Sequence, residues 1–214
     1  LQATEPQLLM TGIASAAGLI AFYLAELNPN VGIDTDTKVF NKDAFYMSVL
    51  SHISDAKDFS IIAFEPDEFN EFVEKHGEVA AKEVLRKIAG FLTELVNAQA
   101  VYRLAGNRFA ILLGSKDRSV PEETITKYYY ASHVFAGNPS ANESAEDRIV
   151  LQALLERFDQ PWVVGENEYE FSASICFLTY PEDVNRADEV NDMIESSLRQ
   201  ARDIGMGTIV YASE

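Results

Sequence analysis

The spacing of hydrophobic and polar residues along the chain predicts helices that alternate with short strands. The spacing of apolar residues predicts helices over five stretches: Lys42 to Ala56, Asp67 to His76, Glu78 to Leu95, Asp147 to Phe158 and Arg186 to Ile204. A further helix is predicted from Glu122 to Phe135, and a loop from Gly137 to Ser144. Apolar runs and alternating segments predict strands, among them one from Phe59 to Phe64 and one from Glu170 to Leu178. This order of elements predicts an α+β fold.

A tight hairpin is predicted between Tyr102 and Gly114. The pair Gly106–Asn107 tolerates the positive φ that a two-residue turn requires, and an apolar run from Phe109 to Leu113 follows it. The sequence therefore places Gly106 and Asn107 at the tip of the hairpin. Many unrelated hairpins share this pattern, so the pattern alone does not indicate a function.

Residues 1–30 differ from the rest of the chain. The run from Leu8 to Ala25 has no charged residue, and as a helix it would span about 27 Å against a hydrocarbon core of about 30 Å. Its apolar character continues around the whole helix, whereas a solvated stalk needs charge on one side. We expect residues 1–30 to form a membrane-spanning helix and a linker, with a soluble dimer stalk or a buried helix as the alternatives. Residues 31–214 are expected to form one globular domain.

The charge balance argues against nucleic acid as a partner. The chain carries 17 Lys and Arg residues against 34 Asp and Glu residues, a formal net charge of −17, so its surface should repel phosphate backbones.

Cys176 is the single cysteine of the sequence. An internal disulfide is therefore excluded, and a reducing cytoplasmic setting is acceptable.

Several stretches of the chain resemble, in order, the signature motifs of the diguanylate cyclase (GGDEF) family. DTDTKVFNKDAF, which begins at Asp34, resembles the family motif that leads into the first helix, and the stretch from Phe64 to Leu85 resembles DxDxFKxxNDxxGHxxGDxVL. SICFLTYPED from Ser174 and ARDIGMG from Ala201 resemble two later motifs. The hairpin resembles the RxGGDEF signature, with Arg103 at its arginine and the five signature positions occupied by Ala105, Gly106, Asn107, Arg108 and Phe109.

The resemblance implies the ferredoxin-like palm of nucleotide cyclases, in which helices flank a central antiparallel sheet. It also implies a reaction that joins two GTP molecules into cyclic di-GMP with divalent metal held by carboxylates. Glu65 and Asp67 occupy the DxD positions, but the hairpin tip supplies Asn107 and Arg108 instead of acids. A guanidinium about 4 Å from a dication opposes it by roughly 8 kcal/mol at an effective dielectric of 20. We therefore expect no catalytic residues, no resident cofactor and at most weak Mg²⁺ binding at Glu65 and Asp67.

The positions that the resemblance assigns to the nucleotide have also changed. Val73 and Lys82 stand where the family reads the guanine edge, and neither side chain supplies the acceptors that this edge needs. Arg202, which replaces a phosphate-binding lysine, is the one chemically similar residue and a vestigial nucleotide contact. The inhibitory RxxD product site would fall at Val96 and Gln99, so product feedback is not expected.

These observations predict a catalytically inactive GGDEF-like domain that relays or scaffolds cyclic di-GMP-related signals by self-association or through a partner domain. We expect it to be cytoplasmic and attached to the inner membrane by its N-terminal helix. One alternative is a regulatory module in which Arg108, Arg103 or Arg202 binds the phosphates of GTP without turnover, and another is a residual diguanylate cyclase. An exposed cleft with Arg108 pointing into it would favour nucleotide binding, whereas a filled cleft would favour the scaffold.

Overall fold

The structure, a computed structural model, describes residues 32–114, 120–125 and 143–212. Eight strands lie in these ranges: β1 (Phe40–Asn41), β2 (Phe59–Pro66), β3 (Val101–Ala105), β4 (Arg108–Gly114), β5 (Trp162–Val164), β6 (Asn167–Tyr169), β7 (Ala173–Tyr180) and β8 (Ile209–Tyr211). Six of them form one sheet in the order β1-β3-β4-β2-β7-β8, and β5 and β6 form a separate hairpin.

The four inner strands of the sheet are antiparallel, as predicted. β1 and β8 pair in parallel with their neighbours, so the sheet as a whole is mixed. Tyr102 and Ile111 lie in paired strands, and the pairing of Ala105 with Arg108 leaves Gly106 and Asn107 at the tip of the predicted hairpin. Gly106 has a φ of 55°, a conformation that favours glycine.

The longer helices are α1 (Lys42–Ser54), α2 (Phe69–Leu95), α3 (Ala145–Phe158) and α4 (Ala187–Ile204). Each lies close to its predicted position. α2 is bent at Gly77, whose φ of 83° and ψ of 165° are not helical, and this bend separates the two consecutive helices that the sequence predicts.

The strand predicted from Glu170 to Leu178 is displaced toward the C-terminus. It runs from Ala173 to Tyr180, and Ala173 pairs with Pro66, the last residue of β2. Because β2 ends there, the residues before Ala173 have no paired strand in the described part of the sheet. The sequence analysis also missed β6, a three-residue strand that pairs with β5.

Helices cover both faces of the sheet and bury the central strand on both sides. Ile62 and Phe64 of β2 belong to the core under α2 and α3. Ile61 and Ala63 belong to the core under α1 and α4. Because side chains alternate between the faces of a strand, Glu65 follows Ile61 and Ala63 onto the face that α4 covers.

Several predictions fall outside the described residues. These include the uncharged run from Leu8 to Ala25, most of a helix predicted from Glu122 to Phe135 and most of a loop predicted from Gly137 to Ser144. Within residues 32–114, 120–125 and 143–212, no helix is long and apolar enough to cross a membrane. The membrane span therefore stays a prediction.

Candidate functional site

Three charged side chains meet where β2 ends and form an ion triad of Arg108, Glu65 and Arg202. The β2–β4 register pairs Phe64 with Phe109, and one further step places Glu65 opposite Arg108. The Nε and Nη2 atoms of Arg108 lie 3.3 and 3.2 Å from Glu65 Oε2. Nη1 of Arg202, in the last turn of α4, contacts Glu65 Oε1. Each carboxylate oxygen of Glu65 is therefore paired with a guanidinium.

The members of the ion triad on the strands are less exposed to solvent than the member on α4. The Glu65 side chain is 10% exposed and the Arg108 side chain is 18% exposed, whereas the Arg202 side chain is 42% exposed. Two cations and one anion leave a formal charge of +1. A metal ion at Glu65 would have to displace two guanidiniums, and the largely buried guanidinium of Arg108 would then lie unpaired beside a cation, which is strongly unfavourable.

Asp67, the second of the two acids that the resemblance assigns to metal, is held by hydrogen bonds from its surroundings. Ser174 Oγ donates to Asp67 Oδ1 at 2.6 Å. Asp67 Oδ2 accepts from Ser172 Oγ at 2.7 Å and from the Gly207 amide at 2.9 Å. These bonds connect the end of β2 to the start of β7 and to the turn after α4. In the described ranges, no group of three or more His, Cys, Asp or Glu side chains is arranged to hold a metal ion.

The three donors to Asp67 were missed by the sequence analysis because they lie far from it along the chain. Ser174 opens one of the motifs on which the resemblance rests, so its position was a usable signal. Ser172 and Gly207 come close only because β7 pairs with β2 and because α4 returns the chain to the same edge.

The remaining signature residues of the hairpin support the turn. Asn107 Nδ2 donates to the Pro66 carbonyl at 3.1 Å and so holds the tip against the end of β2. Phe109 is fully buried and stacks on Phe64 with 5.8 Å between ring centroids. Ala105 is exposed.

Arg103 is bound on both sides of its guanidinium. Its Nε and Nη2 atoms donate to the Gly106 carbonyl at 3.0 and 2.7 Å, and its Nη1 atom lies 2.9 Å from Asp34 Oδ1. Burial raises the pKa of Asp34, but the hydrogen bonds from Thr37 and the guanidinium of Arg103 outweigh it, so this pKa is lowered. The residues that precede the domain core are thereby tied to the hairpin tip.

The positions that the resemblance assigns to guanine serve other contacts. Val73 packs against the core under α2 and α3. Lys82 Nζ lies 3.4 Å from Asp36 Oδ1. Val96, at one of the product-site positions, is fully buried, and Gln99 lies in a short 3₁₀ helix.

The family model described as "Diguanylate cyclase, GGDEF domain" matches residues 31–129. A bifunctional diguanylate cyclase/cyclic di-GMP phosphodiesterase, MucR from Pseudomonas aeruginosa, is 23% identical over 177 residues, which are 80% of this chain and 22% of MucR. The chain thus spans about a fifth of the length of this relative.

Solved structures of low sequence identity share the fold. The GGDEF domain of YfiN (TpbB) from P. aeruginosa superposes with a TM-score of 0.65 at 19% identity, over 84% of this chain and 94% of that one. The coiled coil and GGDEF domain of DgcB from Caulobacter crescentus, solved with c-di-GMP, gives 0.61 at 11% identity, over 97% and 100%. SiaD from P. aeruginosa, solved with its activator SiaC, gives 0.61 at 13% identity, over 94% and 71%. The chain is thus similar to GGDEF domains: the family model matches slightly less than half of it, and these solved structures share its fold.

Proposed function

We propose that this chain forms a GGDEF domain that is catalytically inactive and acts in cyclic di-GMP-related signalling as a relay or scaffold. The observation that carries the proposal is the ion triad of Arg108, Glu65 and Arg202. Glu65 stands where the resemblance requires a metal ligand, and both of its oxygens contact guanidiniums.

The chemistry of the family makes this arrangement unfavourable for turnover. Phosphoryl transfer from a triphosphate needs a metal ion that bridges phosphate oxygens and neutralises the developing charge. Breaking a buried ion pair by removing one partner costs about 3–5 kcal/mol, and metal binding at Glu65 would have to offset a penalty of this kind. Guanine recognition is lost separately, because neither Val73 nor Lys82 supplies hydrogen-bond acceptors for the guanine edge.

The contacts of two arginines favour a scaffold over a nucleotide-binding module. Arg108 is 18% exposed and contacts Glu65, and the Arg103 side chain is 13% exposed and bound to Asp34 and Gly106. The nucleotide-binding alternative depends on Arg202, because its side chain is 42% exposed and the ion triad has a formal charge of +1.

A scaffold acts by binding another protein. We propose that this protein is a partner domain or a second copy of this chain. SiaD was solved in complex with its activator SiaC and DgcB together with its coiled coil, and both structures support this proposal. We further propose that residues 1–30 attach the domain to the inner membrane and that the domain itself lies in the cytoplasm.

The test is an assay of GTP conversion to cyclic di-GMP at high protein concentration with Mg²⁺ or Mn²⁺. We expect no product from the unmodified chain. Turnover that is lost in Glu65→Ala would show that the site works as an enzyme and that the proposal is wrong.

Calorimetric titration distinguishes the scaffold from the nucleotide-binding module. GTP and cyclic di-GMP are titrated with and without Mg²⁺, and we expect no binding in either case. Metal-independent GTP binding that is weakened by Arg202→Met but not by Arg199→Met would favour the nucleotide-binding module. Arg199 is a suitable control because it is an exposed arginine in the same helix.

A further inference from the structure

A large open cavity lies beside the first turns of α2, away from the residues that the resemblance assigns to guanine. Its volume is about 1110 Å³, and its walls come from α2, the end of α3, β6, the segment that leads into β7 and the turn after α4. Val73 and Lys82 do not line it. The cavity exceeds the range of about 300–1,000 Å³ that is usual for small-molecule pockets.

Aromatic rings form one wall of this cavity. Phe72 contacts Tyr169 and Phe171 edge-on, with ring centroids 4.9 and 5.0 Å apart. His76 stands 4.8 Å from Phe72 and 5.1 Å from Tyr169. All four rings line the cavity. Phe72 and Phe171 are buried, so an occupant would meet mainly the more exposed rings of Tyr169 and His76.

The wall that β6 contributes is anchored to the core. Trp162 of the paired strand β5 is 1% exposed, and the guanidinium carbon of Arg157 lies 3.5 Å from the centroid of the Trp162 ring. This packing holds the β5–β6 hairpin against the end of α3.

The charge at the cavity mouth is strongly negative. Five exposed acids line it, and Lys75 is the single lysine or arginine among the described lining residues. The exposed acids come from four segments of the chain: Glu68, Glu71, Asp159, Glu168 and Glu170. Carboxylates arranged around aromatic rings complement guanidinium and ammonium groups through charge-assisted hydrogen bonds and cation–π contacts.

We propose that this cavity, which we call the acidic aromatic cavity, docks a basic peptide segment of a partner protein. The proposal rests on the relay or scaffold role and names the chemistry of the partner. Charge complementarity selects a cationic occupant, the aromatic wall selects one that also has apolar groups, and the volume accommodates several side chains. A free polyamine would satisfy the carboxylates but leave the aromatic wall uncovered.

The experiment measures binding of a fluorescein-labelled nonapeptide of alternating Arg and Leu to the full chain by fluorescence anisotropy at 150 mM salt. We expect saturable binding, with a counterpart of alternating Glu and Leu not bound. Glu71→Gln combined with Glu168→Gln should weaken binding on the order of tenfold. The control pair Glu94→Gln and Asp192→Asn removes the same charge from exposed positions outside the cavity and should change binding less than twofold.

A second variant tests the aromatic wall separately from charge. Tyr169→Leu keeps an apolar side chain but removes the ring, and we expect binding about threefold weaker with circular dichroism unchanged. Absent binding, equal weakening by the control pair, or displacement of the peptide by equimolar spermidine would each overturn the proposal. These outcomes are independent of GTP turnover, so failure of the docking site and failure of the inactive-cyclase proposal are distinguishable.

Discussion

Removing the carboxylate of Glu65 should destabilise the domain because two guanidiniums would lose their shared partner. At an effective dielectric of 20, charges 3.2 Å apart, the Arg108 to Glu65 separation, attract each other by about 5 kcal/mol before desolvation is counted. Breaking a buried pair costs about 3–5 kcal/mol. Arg202 is more exposed and can be hydrated, so we expect Glu65→Gln to lower the free energy of unfolding by about 3 kcal/mol.

Urea unfolding followed by tryptophan fluorescence measures this change. Trp162 is the single tryptophan of the chain and is buried, so it reports on the folded core. With a slope of about 2 kcal/mol per M urea, the midpoint should fall by about 1.5 M. Glu94→Gln removes an exposed carboxylate and is the matched control, with an expected change of less than about 0.5 kcal/mol.

A double substitution separates the ion pair from general damage to the fold. Replacing Glu65 and Arg108 together by Met should cost less than the sum of the two single replacements, because a buried ion pair can be exchanged for apolar side chains at little cost. Two results would contradict this interpretation of the site: Glu65→Gln lowering the free energy of unfolding no more than Glu94→Gln, or the two Met replacements being additive. Either result would mean that the carboxylate is not stabilised by the guanidiniums.

The hairpin tip, the N-terminal segment and Glu143 provide three more tests. Asn107→Asp combined with Arg108→Glu should improve Mg²⁺ binding in calorimetry without restoring cyclic di-GMP synthesis, since the guanine contacts are lost separately; full activity would contradict this. Deleting residues 1–30 should turn a detergent-requiring protein into a soluble one, and a monodisperse intact chain without detergent would exclude the membrane span. Burial, with a smaller contribution from Asp147, raises the pKa of Glu143 from 4.5 to about 7. The unfolded chain therefore loses this proton first, and the free energy of unfolding should fall as pH rises from about 4.5 to about 7, a loss that Glu143→Gln should remove when both are compared by thermal unfolding.

Local sequence patterns were sufficient to predict most elements of the fold. The helical spacing of apolar residues located α1, α2, α3 and α4, and the pair Gly106–Asn107 located the hairpin tip, because both signals depend on neighbours within a few residues. The parallel pairing of β1 and β8 and the small β5–β6 hairpin were not foreseen. Edge pairings of short strands depend on contacts between distant segments, which local periodicity does not encode.

The candidate site shows the same division. The sequence alone determined that Glu65 and Asp67 stand at the positions of acids in the family motif and that Asn107 and Arg108 replace acids at the hairpin tip. Only the tertiary structure decided what these residues contact: the β2–β4 register sets Arg108 opposite Glu65, and α4 brings Arg202 to the second carboxylate oxygen. The physical reason is that residue identity is local, whereas the partner of a buried charge is set by strand register and helix packing, which join segments far apart in the chain.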